Sequence, residues 1–332
     1  KPPTWRKAPP AQVFGDLFER EPEAAIAAVR LNHRLLAHEL RGVGVDVDCA
    51  PVLDLRIPGA DDIIGDRSFG ETPDIVALLG QAAMDGLMAG GVAPVIKHIP
   101  GHGRADADSH LALPRVTEEH GLLSETDFAA FRKLNKAVMA MTAHIVYADI
   151  DPENPATTSP DVVGNVIRGE IGFDGFLMTD DLSMKALSGT FRQRGEASIR
   201  AGCDILLHCN GDRGEMRQVA EAAPRLAGKA LERAKLAEQA RDVIEDFDPE
   251  AGESELNELK FEAAEEAETD ALVVDLDGFE GPLHLLLALA RKKKIDLARI
   301  SILELAEQYL GFMAAASRKR LDLAADYLVM AA

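Results

Sequence analysis

The chain has 332 residues, 47% of them hydrophobic, which is enough for one large domain or two smaller ones with a sizeable core. Its formal net charge of −20 excludes direct binding to nucleic acid through a general positive field. Three cysteines, Cys49, Cys203 and Cys209, predict no disulfide framework and fit a reducing compartment such as the cytoplasm. No apolar run reaches the length of a membrane span, so we expect no membrane partner.

Apolar periodicity predicts helices that alternate with short buried strands along the first 245 residues. The predicted helices cover residues 21–40, 73–90, 118–135, 159–169, 192–202, 214–228 and 230–244. The predicted strands cover residues 45–55, 92–98, 137–146, 175–179 and 204–209. Strands that alternate with helices indicate a parallel sheet with helical crossovers, so the predicted fold class is α/β.

The densest group of titratable residues follows the predicted strand 92–98. Pro100, Gly101 and Gly103 oppose regular structure there, so the polar residues lie on a loop at the end of a strand. In α/β proteins ligands bind at that position, and this loop is therefore the first candidate for a functional site.

Three interpretations of this loop compete. The histidines could simply cap and hydrogen-bond locally, as an isolated histidine usually does. A metal site could use His98, His102, Asp108 and His110 as ligands, although Lys97 opposes a nearby dication and the spacing fits no common zinc pattern. In the third interpretation Asp108 fixes the tautomer of His110, and the pair performs acid–base chemistry.

Two further strand ends carry polar residues that could reach the same site. Asp180 follows the predicted strand 175–179 and would face the top of a barrel, whereas Asp181 is either a rival to it or a local helix cap. His144 lies near the end of strand 137–146, where structural and pocket-lining roles are equally expected.

Three separate segments resemble bacterial β-N-acetylglucosaminidases of glycoside hydrolase family 3. They are Lys-His-Ile-Pro-Gly-His-Gly at 97–103 with Asp-Ser-His at 108–110, Gly-Asp-Arg-Ser-Phe at 65–69, and Phe-Asp-Gly-Phe-Leu-Met-Thr-Asp-Asp-Leu-Ser-Met at 173–184. The segments come in the order of that family, and the resemblance covers about the first three-quarters of the chain.

The resemblance implies a retaining glycosidase. Asp180 would be the nucleophile, and His110, oriented by Asp108, would protonate the leaving oxygen and then deprotonate water. The sugar hydroxyls would be held by Arg67, Lys97 and His98.

The resemblance also implies a substrate and a place of action. It implies cytoplasmic removal of terminal β-linked GlcNAc from peptidoglycan fragments, muropeptides or anhydro-muropeptides, during cell-wall recycling. No cofactor and no metal are expected. For Arg67 the alternative interpretation is a salt bridge to Asp66 or Asp62 on a surface loop.

The family fold is a (β/α)8 barrel of the TIM type, whereas about five strands are predicted here. In the family, opening βα units with sugar-binding residues precede the segment that residues 1–10 resemble. We therefore expect residues 1–245 to form a TIM-type barrel lacking its first strands, with exposed sheet edges and low activity.

The composition changes after residue 245. Residues 246–270 are dominated by acidic side chains and predict a solvated linker, with a charged helix as the alternative. Residues 271–332 predict a small helical C-terminal module. Asp-Gly-Phe-Glu-Gly-Pro-Leu, Ile-Ser-Ile-Leu-Glu-Leu-Ala and Ala-Asp-Tyr-Leu-Val-Met-Ala in that module resemble the N-terminal domain of the bacterial kleisin, segregation and condensation protein A.

The kleisin resemblance gives an alternative function of a different class. It implies an interaction protein that binds the coiled-coil neck of a condensin ATPase through residues 271–332 and takes part in chromosome segregation. The chain would then join two unrelated partial proteins, either as a fusion or as a join of neighbouring genes.

Overall fold

The computed structural model describes residues 5–60, 63–107, 109, 112–242, 244–268, 273–276 and 279–282. The chain divides into two compact units, Lys1–Leu259 and Lys260–Ala332. Within the described ranges, no helix combines the length and the apolarity needed to cross a membrane.

Most helices and strands of the first unit lie where periodicity predicts them. The α-helices are α1 (Ala11–Phe18), α2 (Pro22–Gly42), α3 (Pro73–Ala89), α4 (His120–Glu125), α5 (Asp127–Lys133), α6 (Phe191–Ala201), α7 (Arg213–Ala222), α8 (Gly228–Gln239) and α9 (Pro249–Glu268). The strands are β1 (Val47–Asp48), β2 (Ala93–Ile99), β3 (Arg115–Val116), β4 (Met139–Thr142), β5 (Val146–Tyr147), β6 (Phe176–Asp181), β7 (Ile205–Leu207), β8 (Val273–Leu276) and β9 (Phe279–Pro282). Short 3-10 turns span Gly65–Arg67 and Ala156–Thr158, and a π-helical segment spans Val162–Glu170.

Five strands of the first unit form one sheet in the order β1-β2-β4-β6-β7. Each of these strands runs parallel to its neighbours, so the predicted α/β class with a parallel sheet is confirmed. A closed barrel of this type needs about eight strands. The sheet described here is therefore a curled half-barrel, consistent with part of the predicted TIM-type barrel.

One face of this sheet is an apolar core built from alternate residues of each strand. Its buried members are Ala93, Val95, Met139, Met141, Phe176, Met178 and Ala237. Ala237 belongs to α8, and Ala234 of the same helix packs against the cluster. Helix α8 therefore covers this face of the sheet.

Arg233 in α8 and Arg241, two residues after its end, fix the position of this helix along the strands. Arg233 pairs with Asp174 and Asp204, and Arg241 pairs with Asp46. Each of these aspartates stands one or two residues before a strand of the sheet. Helix α8 therefore crosses the amino-terminal end of the sheet, and the carboxyl end remains for ligands.

The prediction of one continuous strand over residues 45–55 is wrong, because Pro51 has no N–H to donate to a neighbouring strand. Only Val47–Asp48 forms a regular strand. The segment nevertheless stays extended beside β2, since Lys97 N donates to Pro51 O at 3.1 Å and Leu53 N donates to Lys97 O at 2.7 Å. This pairing delivers Asp54 to the end of β2.

The predicted helix 118–135 is divided into α4 and α5 at Thr126, whose ψ is −85°. The first residue of α5, Asp127, is buried and pairs with Arg104 at 2.7 Å, so a tertiary contact interrupts the helical pattern. The predicted strand 137–146 likewise ends at Thr142, and β5 leaves the main sheet to pair with β3.

Two helix boundaries show simpler local causes. Ser159 Oγ accepts the N–H of Val162 at 3.1 Å, so Ser159, the first residue of the predicted helix 159–169, caps the segment that becomes π-helical. The predicted helix 214–228 instead ends at Ala222, because Ala223 precedes Pro224 and a proline disfavours the helical conformation of the residue before it.

Helix α9 occupies most of the acidic stretch 246–270, which matches the charged-helix alternative for that stretch. In the second unit β8 and β9 form an antiparallel pair with Leu276 opposite Phe279. The helices predicted within residues 283–332 lie outside the described residues. The domain boundaries at 246 and 271, and the kleisin-like interpretation of 271–332, therefore stay predictions.

Candidate active site

The carboxyl ends of the parallel strands bring together polar side chains that are far apart in sequence. Asp54 ends the extended segment after β1, His98 lies near the end of β2, and Asp180 lies near the end of β6. His144 stands two residues after β4. This is the edge at which parallel sheets bind ligands.

A buried carboxylate–imidazole pair lies at the centre of this group. Asp54 is fully buried, and its Oδ2 lies 2.6 Å from Nδ1 of His98. Its Oδ1 accepts the backbone N–H of His98 at 3.1 Å and of His102 at 2.7 Å. Burial alone would raise the pKa of the Asp54 carboxyl, but the His98 ring and these hydrogen bonds together hold that pKa below its usual value. Asp54 is therefore an anion, and Nδ1 of His98 donates to it.

His98 extends this pair towards Asp180. Nε2 of His98 lies 4.0 Å from Oδ2 of Asp180, which is beyond hydrogen-bond distance. The other Asp180 oxygen, Oδ1, accepts the backbone N–H of Asp181 at 2.8 Å. The Asp180 side chain is 16% exposed, and its Oδ2 accepts no hydrogen bond from the residues that the structure describes, so this oxygen can face a ligand.

Asp181, the rival of Asp180, uses its carboxylate within the protein. Oδ1 accepts the backbone N–H groups of Ser183 at 2.9 Å and of Cys209 at 3.1 Å, and Oδ2 accepts the hydroxyl of Ser183. Burial would raise the pKa of Asp181, yet these donors outweigh it and hold the pKa below its usual value. Asp181 acts as a local cap that joins the end of β6 to the segment after β7.

His102 connects the buried pair to the loop that follows β2. Its ring contacts that of His98 edge to face, with 5.4 Å between centroids, and its Nε2 lies 3.3 Å from Oγ of Ser109. Burial, together with the neighbouring His98, lowers the pKa of His102 to about 4. The ring is therefore neutral at neutral pH.

The base of this loop is too tightly packed for a side chain at two of its glycines. A Cβ on Gly103 would lie 2.1 Å from the carbonyl oxygen of Leu55, and one on Gly101 would lie 2.9 Å from Cβ of Asp127. The hydroxyl of Tyr147 donates to the Gly101 carbonyl. These contacts seat the loop against Leu55, α5 and β5.

Charged contacts continue this anchoring along the loop. Nε of Arg104 donates to Asp127 at 2.7 Å, and Asp106 accepts the backbone N–H of Arg115 at 2.8 Å. Burial raises the pKa of Asp127 and Arg104 partly offsets it, which is the expected state of a buried paired carboxylate.

The far arm of the loop reaches towards β6. The carbonyl of Ser109 accepts the backbone N–H of Ala186 at 3.3 Å, in the segment between β6 and α6. The two predicted acid–base residues on either side of Ser109, Asp108 and His110, lie outside the described residues.

Lys97, a predicted sugar-binding residue, lies in β2 beside His98. Burial raises the pKa of the Cys49 thiol, Lys97 opposes that rise, and Asp48 and Asp180 add to it.

Arg67, the third predicted sugar-binding residue, is not joined to this group by any contact between described residues. It ends the exposed turn Gly65–Arg67, and its Nη1 donates to the carbonyl of Ile63 at 3.1 Å. Within the described part of the chain it also makes no ion pair with Asp66, whereas Asp62 lies outside that part.

His144 is held by two protein hydrogen bonds. Its Nδ1 lies 2.7 Å from Oγ1 of Thr157, and its Nε2 lies 3.1 Å from the carbonyl oxygen of Asp181. Burial lowers its pKa, so the ring is a neutral support beneath the end of β6. This favours the structural role for His144.

The metal interpretation receives no support from the described residues. Among them, no three histidine, cysteine, aspartate or glutamate side chains are arranged to hold a metal ion. Two of the four suggested ligands, Asp108 and His110, lie outside that part of the chain.

The family of the chain follows from its similarity to a known protein family. Residues 4–245 match the profile of the glycosyl hydrolase family 3 N terminal domain, which is well over half of the chain. The chain belongs to glycosyl hydrolase family 3.

Curated relatives agree with this family assignment. The chain is 40% identical over 210 residues to the Beta-hexosaminidase of Alkalilimnicola ehrlichii and 37% identical over 206 residues to that of Bordetella avium. These alignments cover 62% and 61% of this chain and 60% and 58% of the two relatives. The chain therefore spans about 60% of the length of the curated relatives it matches.

Solved structures give the same family fold. The chain superposes on NagZ from Neisseria gonorrhoeae in complex with N-trifluoroacetyl-D-glucosamine with a TM-score of 0.67 and 31% identity, covering 78% of this chain and 77% of that one. It superposes on a glycoside hydrolase family 3 β-N-acetylglucosaminidase from Paenibacillus sp. str. FPU-7 with a TM-score of 0.65 and 28% identity, covering 76% of this chain and 51% of that one.

Sequence reasoning missed the importance of Asp54. It was visible only as a polar residue at the end of a predicted strand. The useful signal was its position in the apolar run Pro-Val-Leu-Asp-Leu, because a carboxylate buried there requires several hydrogen-bond donors. Which donors satisfy it could not be read from the local sequence.

Proposed function

We propose that this chain is a retaining β-N-acetylglucosaminidase that hydrolyses terminal β-linked GlcNAc. Membership of glycosyl hydrolase family 3 and relatives named Beta-hexosaminidase support the reaction class. The chain spans about 60% of the length of those relatives, so its own activity and substrate are proposed here and not assigned.

One observation carries the proposal. At the end of β6, Asp180 keeps Oδ2 open, while neighbouring Asp181 commits its carboxylate to Ser183 and Cys209. A nucleophile must reach the anomeric carbon, so a carboxylate with an open oxygen at the carboxyl end of a strand suits that role.

The proposed mechanism has two steps. Asp180 attacks the anomeric carbon to form a glycosyl–enzyme bond, while His110 protonates the leaving oxygen. His110 then takes a proton from water, which attacks the same carbon and releases Asp180. Asp108 orients His110 and stabilises its charged form. The contacts of Ser109 with His102 and Ala186 support a path for this loop from β2 towards Asp180.

Lys97, His98 and Arg67 are proposed to hold the sugar. His98 has the strongest support, because its Nε2 points towards the open oxygen of Asp180 while its Nδ1 is held by Asp54. For Arg67 the proposal requires the exposed turn at residues 65–67 to approach the sugar when it binds.

Peptidoglycan fragments in the cytoplasm are the proposed natural substrate. The support is the family resemblance of the three motifs. Rates on a GlcNAc-anhydro-muropeptide and on chitobiose, measured side by side, test this choice, because a substrate optimum on chitobiose contradicts it.

The nucleophile assignment is tested by trapping it. The full chain is incubated with a 5-fluoro β-GlcNAc derivative bearing a good leaving group, digested, and analysed by mass spectrometry. We expect the label on Asp180. A label on Asp181 contradicts the assignment, and a chain that neither becomes labelled nor hydrolyses an aryl β-N-acetylglucosaminide contradicts the proposed function.

A further inference from the structure

The Asp54 carboxylate lies where two parts of the site meet. It binds the backbone N–H and Nδ1 of His98 from β2, and the backbone N–H of His102 from the loop. Because Asp54 is fully buried, it does not touch a ligand itself. Any influence on the reaction must therefore pass through the two histidines.

Its effect on His98 is to fix the tautomer. An anionic carboxylate 2.6 Å from Nδ1 accepts a hydrogen bond, so whenever the ring is neutral its single proton is on Nδ1 and the lone pair is on Nε2. That nitrogen lies 4.0 Å from Oδ2 of Asp180, where it can meet a sugar hydroxyl beside the nucleophile.

Its effect on the loop runs through His102. The Oδ1 bond to the His102 N–H, at 2.7 Å, holds the loop where the His102 ring can pack against His98 and reach Ser109. The same carboxylate therefore orients His98, which lies beside Asp180, and holds in place the part of the loop that extends from His102 towards Asp180.

We propose that Asp54 is a positioning residue, which fixes the tautomer of His98 and the position of the loop at His102 for chemistry at Asp180. This proposal rests on the proposed glycosidase function. It adds a residue that the three motif segments do not contain.

Asp54→Asn separates the two effects. The amide oxygen can still accept the N–H groups of His98 and His102, whereas the amide NH2 then faces Nδ1 of His98. Nδ1 must become the acceptor, so the proton moves to Nε2 and the lone pair beside Asp180 is lost. Loop anchoring is kept while the tautomer is reversed.

The experiment combines NMR and kinetics on the full chain. Nitrogen-15 spectra of labelled histidine side chains report the tautomer, with the His98 signal assigned by its loss in His98→Gln. Hydrolysis of an aryl β-N-acetylglucosaminide gives kcat and KM, and fluorine NMR of N-trifluoroacetyl-D-glucosamine reports sugar binding. The matched control is Asp151→Asn, because Asp151 is also buried but accepts Ser159 Oγ, at 2.6 Å, away from both histidines.

We expect wild-type His98 as the Nδ1–H tautomer and Asp54→Asn as the Nε2–H tautomer. We expect kcat to fall about 10²-fold, the size of effect that a misplaced catalytic contact produces. Asp151→Asn should change neither the His98 tautomer nor kcat.

Several results would overturn the proposal. An Nε2–H tautomer in the wild-type chain does so even if Asp54→Asn fails to fold. An unchanged tautomer in Asp54→Asn, or a reversed tautomer with wild-type kcat, also does so. If the wild-type chain neither turns over nor binds the fluorinated sugar, the proposed function fails, and the tautomer comparison alone then decides whether Asp54 positions His98.

Discussion

The two ends of the parallel sheet use the same residue type in opposite ways. At the amino-terminal end, Asp174 and Asp204 pair with Arg233 of α8, and Asp46 pairs with Arg241 just after that helix. At the carboxyl end, Asp54 is paired with a histidine and Asp180 keeps one oxygen open. Arginine keeps its charge at all relevant pH values and suits a permanent clamp, whereas histidine can exchange a proton. The end closed by α8 therefore serves stability, and the other end is arranged for chemistry.

The largest expected difference between the two ends is in turnover, and strand β6 provides a matched pair of aspartates. Asp180→Asn removes the proposed nucleophile and should lower kcat on an aryl β-N-acetylglucosaminide by about 10⁴-fold or more. Asp174→Asn, just before the same strand, changes an exposed ion pair and should stay within about twofold of wild type. Equal losses in the two variants would remove the distinction between the ends.

The next effect concerns stability at the α8 end. The Asp204 side chain is 6% exposed and pairs with both Arg168 and Arg233. Asp204→Ala leaves two partly buried guanidinium groups without this partner and should lower the free energy of unfolding by about 3 kcal/mol.

Asp174→Ala is the control for this variant. It removes an exposed partner of the same Arg233 and should cost about 1 kcal/mol or less. Urea denaturation followed by circular dichroism measures both values, and a larger loss for Asp174→Ala would contradict the burial argument.

Two buried histidines predict a loss of stability in acid. Burial lowers the pKa of His33, and likewise that of His102, from 6.5 to about 4. The unfolded chain binds protons at these groups first, so stability is fully present above about pH 6.5 and falls as the pH drops towards 4. Each histidine contributes up to about 3 kcal/mol to this fall.

His33→Gln tests that dependence away from the site. The free energy of unfolding, measured by urea denaturation at several pH values, should fall less steeply between pH 6.5 and 4 in the variant than in the wild type. The same slope in both proteins would show that His33 is not buried in its neutral form.

The smallest expected effect concerns the packing of the loop base. Gly103→Ala places a Cβ against the Leu55 carbonyl and should cost about 1–3 kcal/mol, because backbone must move to relieve the overlap. The matched control is Gly121→Ala in α4, where a Cβ meets nothing within 4 Å. This control should be neutral or stabilising by up to about 1 kcal/mol. Equal stabilities of the two variants would contradict the tight seat of the loop.

The sequence by itself determined the parts that depend on local pattern. Apolar periodicity identified α2, α3, β2 and β6 closely, since the register of buried residues along one segment is a local property. The motif order led to the family that the profile over residues 4–245 establishes. Proline explains two of the boundary errors, at Pro51 and at Pro224, and its effect is also local.

Only the tertiary structure decided the contacts between distant segments. Asp54 and His98 are 44 residues apart and meet because parallel strands place their carboxyl ends side by side. The division of α4 from α5 follows from the pairing of Asp127 with Arg104, and the path of α8 follows from aspartates that precede three strands. Because burial removes a charge from water, each buried charge needs a hydrogen-bonding or oppositely charged partner, and the fold determines which residue that partner is.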